Sequence, residues 1–165
     1  MSRLWTIVAL CLVVAPSAAA EPPKWVEHRV AGVVFSAPPT AEVTTQEHEQ
    51  KVTVVAVTYG DEVLLLTLYR GKSAPSSKRA LAAHGEEFER RVSKLGPMRV
   101  GRDSLRVLGR KRKYRTIEHG AEGARERTSL MAVRLTKTTL VAAWTAPVTL
   151  RRTVSSRLLK GLAFK

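Results

Sequence analysis

Residues 51–71 read KVTVVAVTYGDEVLLLTLYRG, and this stretch decides the fold class. Two runs rich in β-branched residues and leucine, Val52–Tyr59 and Val63–Tyr69, flank a turn at Gly60-Asp61-Glu62, the pattern of a β-hairpin. Alternation along a strand places Leu64, Leu66 and Leu68 on one face and Val63, Leu65 and Tyr69 on the other. Both faces are apolar, so the second run is expected to be central in its sheet and covered on at least one side by helices.

Working outward, residues 71–97, GKSAPSSKRALAAHGEEFERRVSKLGP, change period. Leu81, Phe88, Val92 and Leu95 recur at helical spacing; Ser76 or Ser77 supplies a cap, and Gly96-Pro97 ends the helix. Gly85 weakens its middle by roughly 1 kcal/mol relative to alanine. Upstream, RVAGVVFSAPP predicts one strand from Arg29 to Phe35, stopped by Pro38 and Pro39, and TAEVTTQEHEQ is polar and only weakly strand-like. Downstream, SLRVLGRKRKYRTIEHG, ARERTSLMAVRLT and TTLVAAWTAP read as an antiparallel meander joined near Gly120–Gly123 and near Lys137. The closing PVTLRRTVSSRLLKGLAFK reads as a helix, with Pro147 near its first turn, Leu150, Val154 and Leu158 on one face and Gly161 as its stop. The expected fold class is therefore α+β, an antiparallel sheet with helices packed on it.

The first twenty residues, MSRLWTIVALCLVVAPSAAA, have the layout of a secretory signal peptide. Arg3 gives a positive start, Leu4–Val14 an apolar core, and Ala18 and Ala20 the small residues of a cleavage site after Ala20 or the adjacent Ala19. The core falls short of the roughly 18 residues a membrane span requires. Cys11 follows Leu10 in mid-core, which does not fit a lipid-anchor site. The chain thus divides into a signal peptide (1–20), an extended N-terminal segment (21–28) and a single domain (29–165), exported to the periplasm or beyond the cell. The mature 145 residues suffice for a core without staples. They contain no cysteine, which excludes disulfides, thiolate catalysis and cysteine-ligated metal.

Charge is divided sharply. Residues 21–89 carry seven Lys/Arg against ten Asp/Glu, whereas residues 90–165 carry twenty against four. Such asymmetry favours anionic partners: an envelope polymer, lipid head groups or an acidic protein. The competing reading is a solvated surface in an arginine-rich chain. The densest run is GRKRKYR, residues 109–115. As a strand it sends Arg110, Arg112 and Tyr114 one way and Lys111, Lys113 and Arg115 the other. No central strand can bury both sets, so the run is expected at a strand end, on an edge strand or in a loop. An anion-binding groove is expected from Arg110, Lys111, Arg112, Lys113, Tyr114 and Arg115, with Arg125 and Arg127 on the next strand extending it. Arg134 would lie on the opposite face, and Arg151, Arg152 and Lys160 would add to the field. Export argues against intracellular nucleic acid as the partner.

Catalytic and metal signatures are thin. There is no Gly-x-Ser-x-Gly elbow, phosphate-binding Gly-rich loop, dinucleotide fingerprint or paired-histidine motif, so no catalytic residue, metal ligand or cofactor is assigned. His28, His48, His84 and His119 are scattered. Trp144, beside Val141 and Ala143, reads as core rather than as the wall of a ligand pocket with Trp25 and Tyr114.

The segments GVVFSAPPTAEV, LGRKRKYRTIEHGAEGARERTSLMAV, TTLVAAWTAP and LLKGLAF, in that order, resemble the PsbP-like superfamily of small exported proteins over most of residues 30–165. The resemblance implies an α/β/α sandwich and an accessory, assembly or binding role without catalysis. The arginine-rich second half departs from the family pattern, so no family binding residues are carried over. The function expected is a non-catalytic binding domain of the bacterial envelope that contacts an anionic partner through its basic C-terminal half. The alternatives are an assembly subunit docking to a protein with the charge incidental, and a hydrolase with a dispersed site.

Overall fold

The computed structural model describes residues 24–121, 124–150 and 152–164. The signal-peptide reading of residues 1–20 and the place of Arg151 lie outside them. In chain order the elements are β1 (Val26–Val30), β2 (Val33–Ala37), β3 (Glu42–His48), β4 (Val52–Tyr59) and β5 (Glu62–Arg70), then α1 (Ser77–Val92). β6 (Arg99–Val107), β7 (Arg110–His119), β8 (Glu126–Leu135), β9 (Thr138–Pro147), α2 (Val154–Lys160) and β10 (Ala163–Phe164) follow. All pairings are antiparallel and form two sheets, β3-β4-β5-β9-β8-β7-β6 and β1-β2-β10.

The hairpin of residues 52–70 forms where the sequence places it, with Tyr59 opposite Glu62 across a two-residue turn whose Gly60 has φ +54°. Leu64, Leu66 and Leu68 are buried, and they meet Val33, Phe35 and Ala37 of β2 and Leu158, Leu159 and Leu162 at the C-terminal end. The cover over this face is thus chiefly a second, small sheet, with the short α2 beside it. On the opposite face α1 lies against β8 and β9, seating Val92 on Ile117 and Leu130. It leaves Val63 and Leu65 38% and 40% exposed.

This arrangement corrects the expected class. Strands hold 55% of the described residues against 20% in helices, and the fold is β-rich, not an α/β/α sandwich built by packing helices on a sheet. Three misread segments account for the difference, the first being SLRVLGRKRKYRTIEHG, expected as one strand of the meander but turned at Leu108-Gly109 into the β6–β7 hairpin. Residues 29–35 are not one strand: Ala31 and Gly32 turn the chain at positive φ, and β1 folds back on β2. Residues 147–150, 152 and 153 are not helix, because Pro147 ends β9 and α2 begins only at Val154, where the Thr153 hydroxyl accepts from Ser156 N at 3.0 Å. Leu150 is accordingly 40% exposed rather than on a packed helix face. The longer helix follows its sequence signals, with Ser76 Oγ accepting from Arg79 N at 3.2 Å. Gly85 is buried where a Cβ would stand 3.3 Å from Arg115 Nη1, so its helix penalty permits a close approach to the sheet.

Candidate functional site

The basic run folds as one arm of a hairpin. β6 and β7 pair along their whole length, from Arg99 opposite Glu118 to Val107 opposite Arg110. Leu108 and Gly109 make the turn at φ +51° and +72°. A leucine there is strained, but its side chain packs against the core. β8 pairs with β7 only from Arg115 to His119. Residues 110–114 therefore belong to a two-stranded ribbon beyond the shared sheet, with β6 as its outer edge. Over residues 110–114 the run is thus a strand end with one open edge, as its charges require. Its charges are tolerated because β7 has lost one neighbour there.

Alternation sorts the side chains as the sequence predicts, and the register adds their neighbours. On the inner face Arg112 stands opposite Leu105, Arg110 opposite Val107, and Tyr114 opposite Asp103. Val107 is fully buried, and the Arg112 Nε is buried without a hydrogen-bond partner. Tyr114 stacks at a tilt on Trp144, 5.0 Å between centroids, and its hydroxyl donates to Asp103 Oδ2 at 2.9 Å. Tyr114 anchors the ribbon and also borders the groove between the ribbon and α1. Burial first, and the Asp103 carboxylate second, push its phenol up to about 12. Because the folded value lies above the ordinary one, the stabilisation is intact below about pH 10 and is lost as pH rises through 12. Ultraviolet titration of the folded protein is expected to show a phenol ionising near 12 that is missing from Tyr114→Phe; a common midpoint near 10 for every tyrosine would contradict it.

The outer face carries Lys111, Lys113 and Arg115 opposite Arg106, Ser104 and Arg102. Like charges directly opposite each other are destabilising in a sheet, and here two such pairs lie on one ladder. Glu89 of α1 neutralises Arg115, while Glu87 is occupied by Arg90 and Arg91. Among the described residues no carboxylate pairs with Arg102, Arg106, Lys111 or Lys113. A groove of about 450 Å³ between α1 and the ribbon is lined by Lys78, Leu81, Ala82, Val100, Arg102 and Lys113. A second, of about 530 Å³, shares Arg102 and Lys113 and continues to Asp103, Ser104 and Lys111.

The structure does not bring the whole expected set together. Arg127 is bound to Glu118, its Nη2 2.7 Å from Oε1. Arg125 lines a separate depression with Asp61 and Glu126. Glu118 is seven residues along β7 from Lys111, about 23 Å, so Arg125 and Arg127 lie at the far end of the sheet. Arg134 holds the chain before α1 through Ala74 O at 3.0 Å and Pro75 O at 3.2 Å. Trp25 lies under the Arg157 guanidinium at 4.3 Å. Arg102, Arg106 and Lys78 are the members missed. Continuing the alternation through the Leu108-Gly109 turn into residues 99–107 would have found the first two, whereas Lys78 joins only through tertiary packing.

The histidines are dispersed. His84 Nε2 lies 2.7 Å from Tyr69 Oη, with burial lowering the imidazole pKa and raising the phenol's. His119 Nε2 lies 3.0 Å from Thr128 Oγ1, and His28 stacks on Phe35. Among the described residues no three His, Asp or Glu converge as a metal-ligand set, and no helix is long and apolar enough to cross a membrane.

No family model matches this chain, PsbP-like or otherwise, and no curated protein sequence does. Solved structures show likeness of fold. A crystal structure from Bacteroides thetaiotaomicron VPI-5482 aligns with a TM-score of 0.54 at 11% identity over 87% of this chain and 48% of its own, so this chain spans about half that protein's length. The Saccharomyces cerevisiae Ran-binding protein Mog1p aligns with a TM-score of 0.51 at 12% identity, covering 87% of this chain and 96% of its own. At these identities the resemblance is to a fold of small β-rich domains.

Proposed function

We propose that this chain is an exported, non-catalytic binding domain of the bacterial envelope that holds an anionic partner on the outer face of the β6–β7 ribbon. One observation carries the reading: Arg102, Arg106, Lys111 and Lys113 share one exposed face of the ribbon, Lys111 directly opposite Arg106 and Arg102 opposite Arg115, with no ion-pair partner for any of the four among the described residues. A sheet gains nothing by this for stability, whereas a partner bearing phosphates, sulfates or carboxylates is attracted by all four at once. Mog1p is named as a protein that binds another protein, Ran, which is consistent with a binding role for this fold.

Heparin affinity measured across a salt series tests it. The plot of log affinity against log salt is expected to lose slope by roughly one per cation removed when Arg102, Arg106, Lys111 and Lys113 are replaced by glutamine. Arg125→Gln, at the far end of the sheet, is expected to leave the slope unchanged. Equal slopes for the wild type and the fourfold variant would end this reading. Docking to a protein with the charge incidental is favoured by the uncovered Val63 and Leu65. On that reading the fourfold variant binds its partner normally and a Leu65→Asp variant does not.

A further inference from the structure

The two adjoining grooves differ in character. The end between α1 and β6 has an apolar floor of Leu81, Ala82 and Val100, and Val100 is 54% exposed in the edge strand. Arg115 borders this end already neutralised by Glu89. The other end offers Lys111, Ser104 and Arg102 beside Asp103, whose carboxylate accepts from the Tyr114 hydroxyl and the Ser104 amide, with Arg102 and Lys113 standing where the grooves meet. Apolar surface and unneutralised cations thus succeed one another along one trough. Its first groove, about 450 Å³, falls within the roughly 300–1,000 Å³ of small-ligand sites.

From this polarity we infer that the trough takes a single-chain anionic amphiphile, its phosphate head among Arg102, Lys113 and Lys111 and its alkyl chain on Leu81, Ala82 and Val100. The inference rests on the ribbon being the anion-binding face. A free polyanion has no use for the apolar floor. A bilayer surface does not enter a channel walled by a helix on one side and a ribbon on the other, so the occupant is an individual molecule.

The test is a calorimetric series of butyl, hexyl and octyl phosphate as monomers, with inorganic phosphate and a neutral octyl glycoside as references. Each methylene removed from water is worth up to about fourfold in affinity. Because the groove is open, a total gain of about tenfold or more is expected from butyl to octyl, with the neutral glycoside far weaker than octyl phosphate. Val100→Asn and Ala82→Ser alter exposed positions without adding charge and are expected to flatten the chain-length dependence while the heparin salt slope stays as in the wild type. A flat series in the wild type, or binding to anionic vesicles without binding of the monomers, overturns the amphiphile and leaves the ribbon reading standing. Loss of the heparin slope difference instead removes the ribbon reading itself.

Discussion

Replacing Trp144 by alanine is expected to lower the unfolding free energy by about 3–5 kcal/mol, the range for removing a large aromatic side chain from a packed core. Trp144 is 4% exposed on β9, within the cluster that joins the two sheets. Its ring is also the surface on which Tyr114 rests, and such an aromatic contact adds about 0.5–1.5 kcal/mol beyond burial. The Tyr114 hydroxyl in turn holds Asp103 across the ribbon. Truncating the indole therefore leaves a cavity and loosens the inner face of the element that carries the cations. Trp144→Phe keeps a ring in place and is expected to cost less. Urea unfolding checks this, with the slope m unchanged if only stability has moved. A loss below about 1 kcal/mol for the alanine variant would mean that the core collapses around the gap and that the ribbon is anchored elsewhere.

The second large effect is expected at Glu62. This carboxylate is buried, 6% exposed, yet its partners lie more than ninety residues along the chain. Oε1 accepts from Val154 N at 2.9 Å, and Oε2 accepts from Ser155 N at 3.0 Å and from Ser155 Oγ at 3.1 Å. Thr153 satisfies the next amide, that of Ser156. α2 has seven residues, too few to stand as a helix in water by itself. It persists because Leu158 and Leu159 are buried beneath it and because its first N–H groups end on Glu62. Glu62→Ala leaves those donors without a partner in a site closed to water, at a cost of about 2–4 kcal/mol. Glu62→Gln keeps one acceptor oxygen and is expected to fall between. Hydrogen exchange at Val154 and Ser155 is the direct readout: in the alanine variant these amides are expected to exchange ahead of global unfolding. Unchanged protection there would show that side-chain burial alone holds α2.

The ribbon shows how far the sequence carries toward the site. Which way each side of residues 110–115 points is a local matter, since alternation follows from strand geometry alone. That the run cannot be buried is equally local, since unpaired charge excludes it from an interior. Neither argument says which strand lies beside it. The opposition of Lys111 to Arg106 and of Arg115 to Arg102 comes from the register of β6 on β7. The separation of Arg127 follows from its pairing with Glu118 at the far end of the same strand. Sequence proximity suggested one patch where the sheet makes two.

The elements legible in the sequence are those whose signals are contained within a few residues. These are the hairpin of β4 and β5, the capped helix α1, the strands β8 and β9, and the two faces of the basic run, whereas the turn that splits residues 104–120 between β6 and β7 was not among them. Each depends on periodicity, capping or turn chemistry, which act over one or two turns of chain. Only the tertiary structure decided that the leucine face of β5 is covered mainly by a small sheet, that α2 is anchored by a carboxylate from β5, and that a helix and a ribbon enclose a trough of graded polarity. These depend on which distant segments share an interface, and that is settled by packing and register over the whole chain.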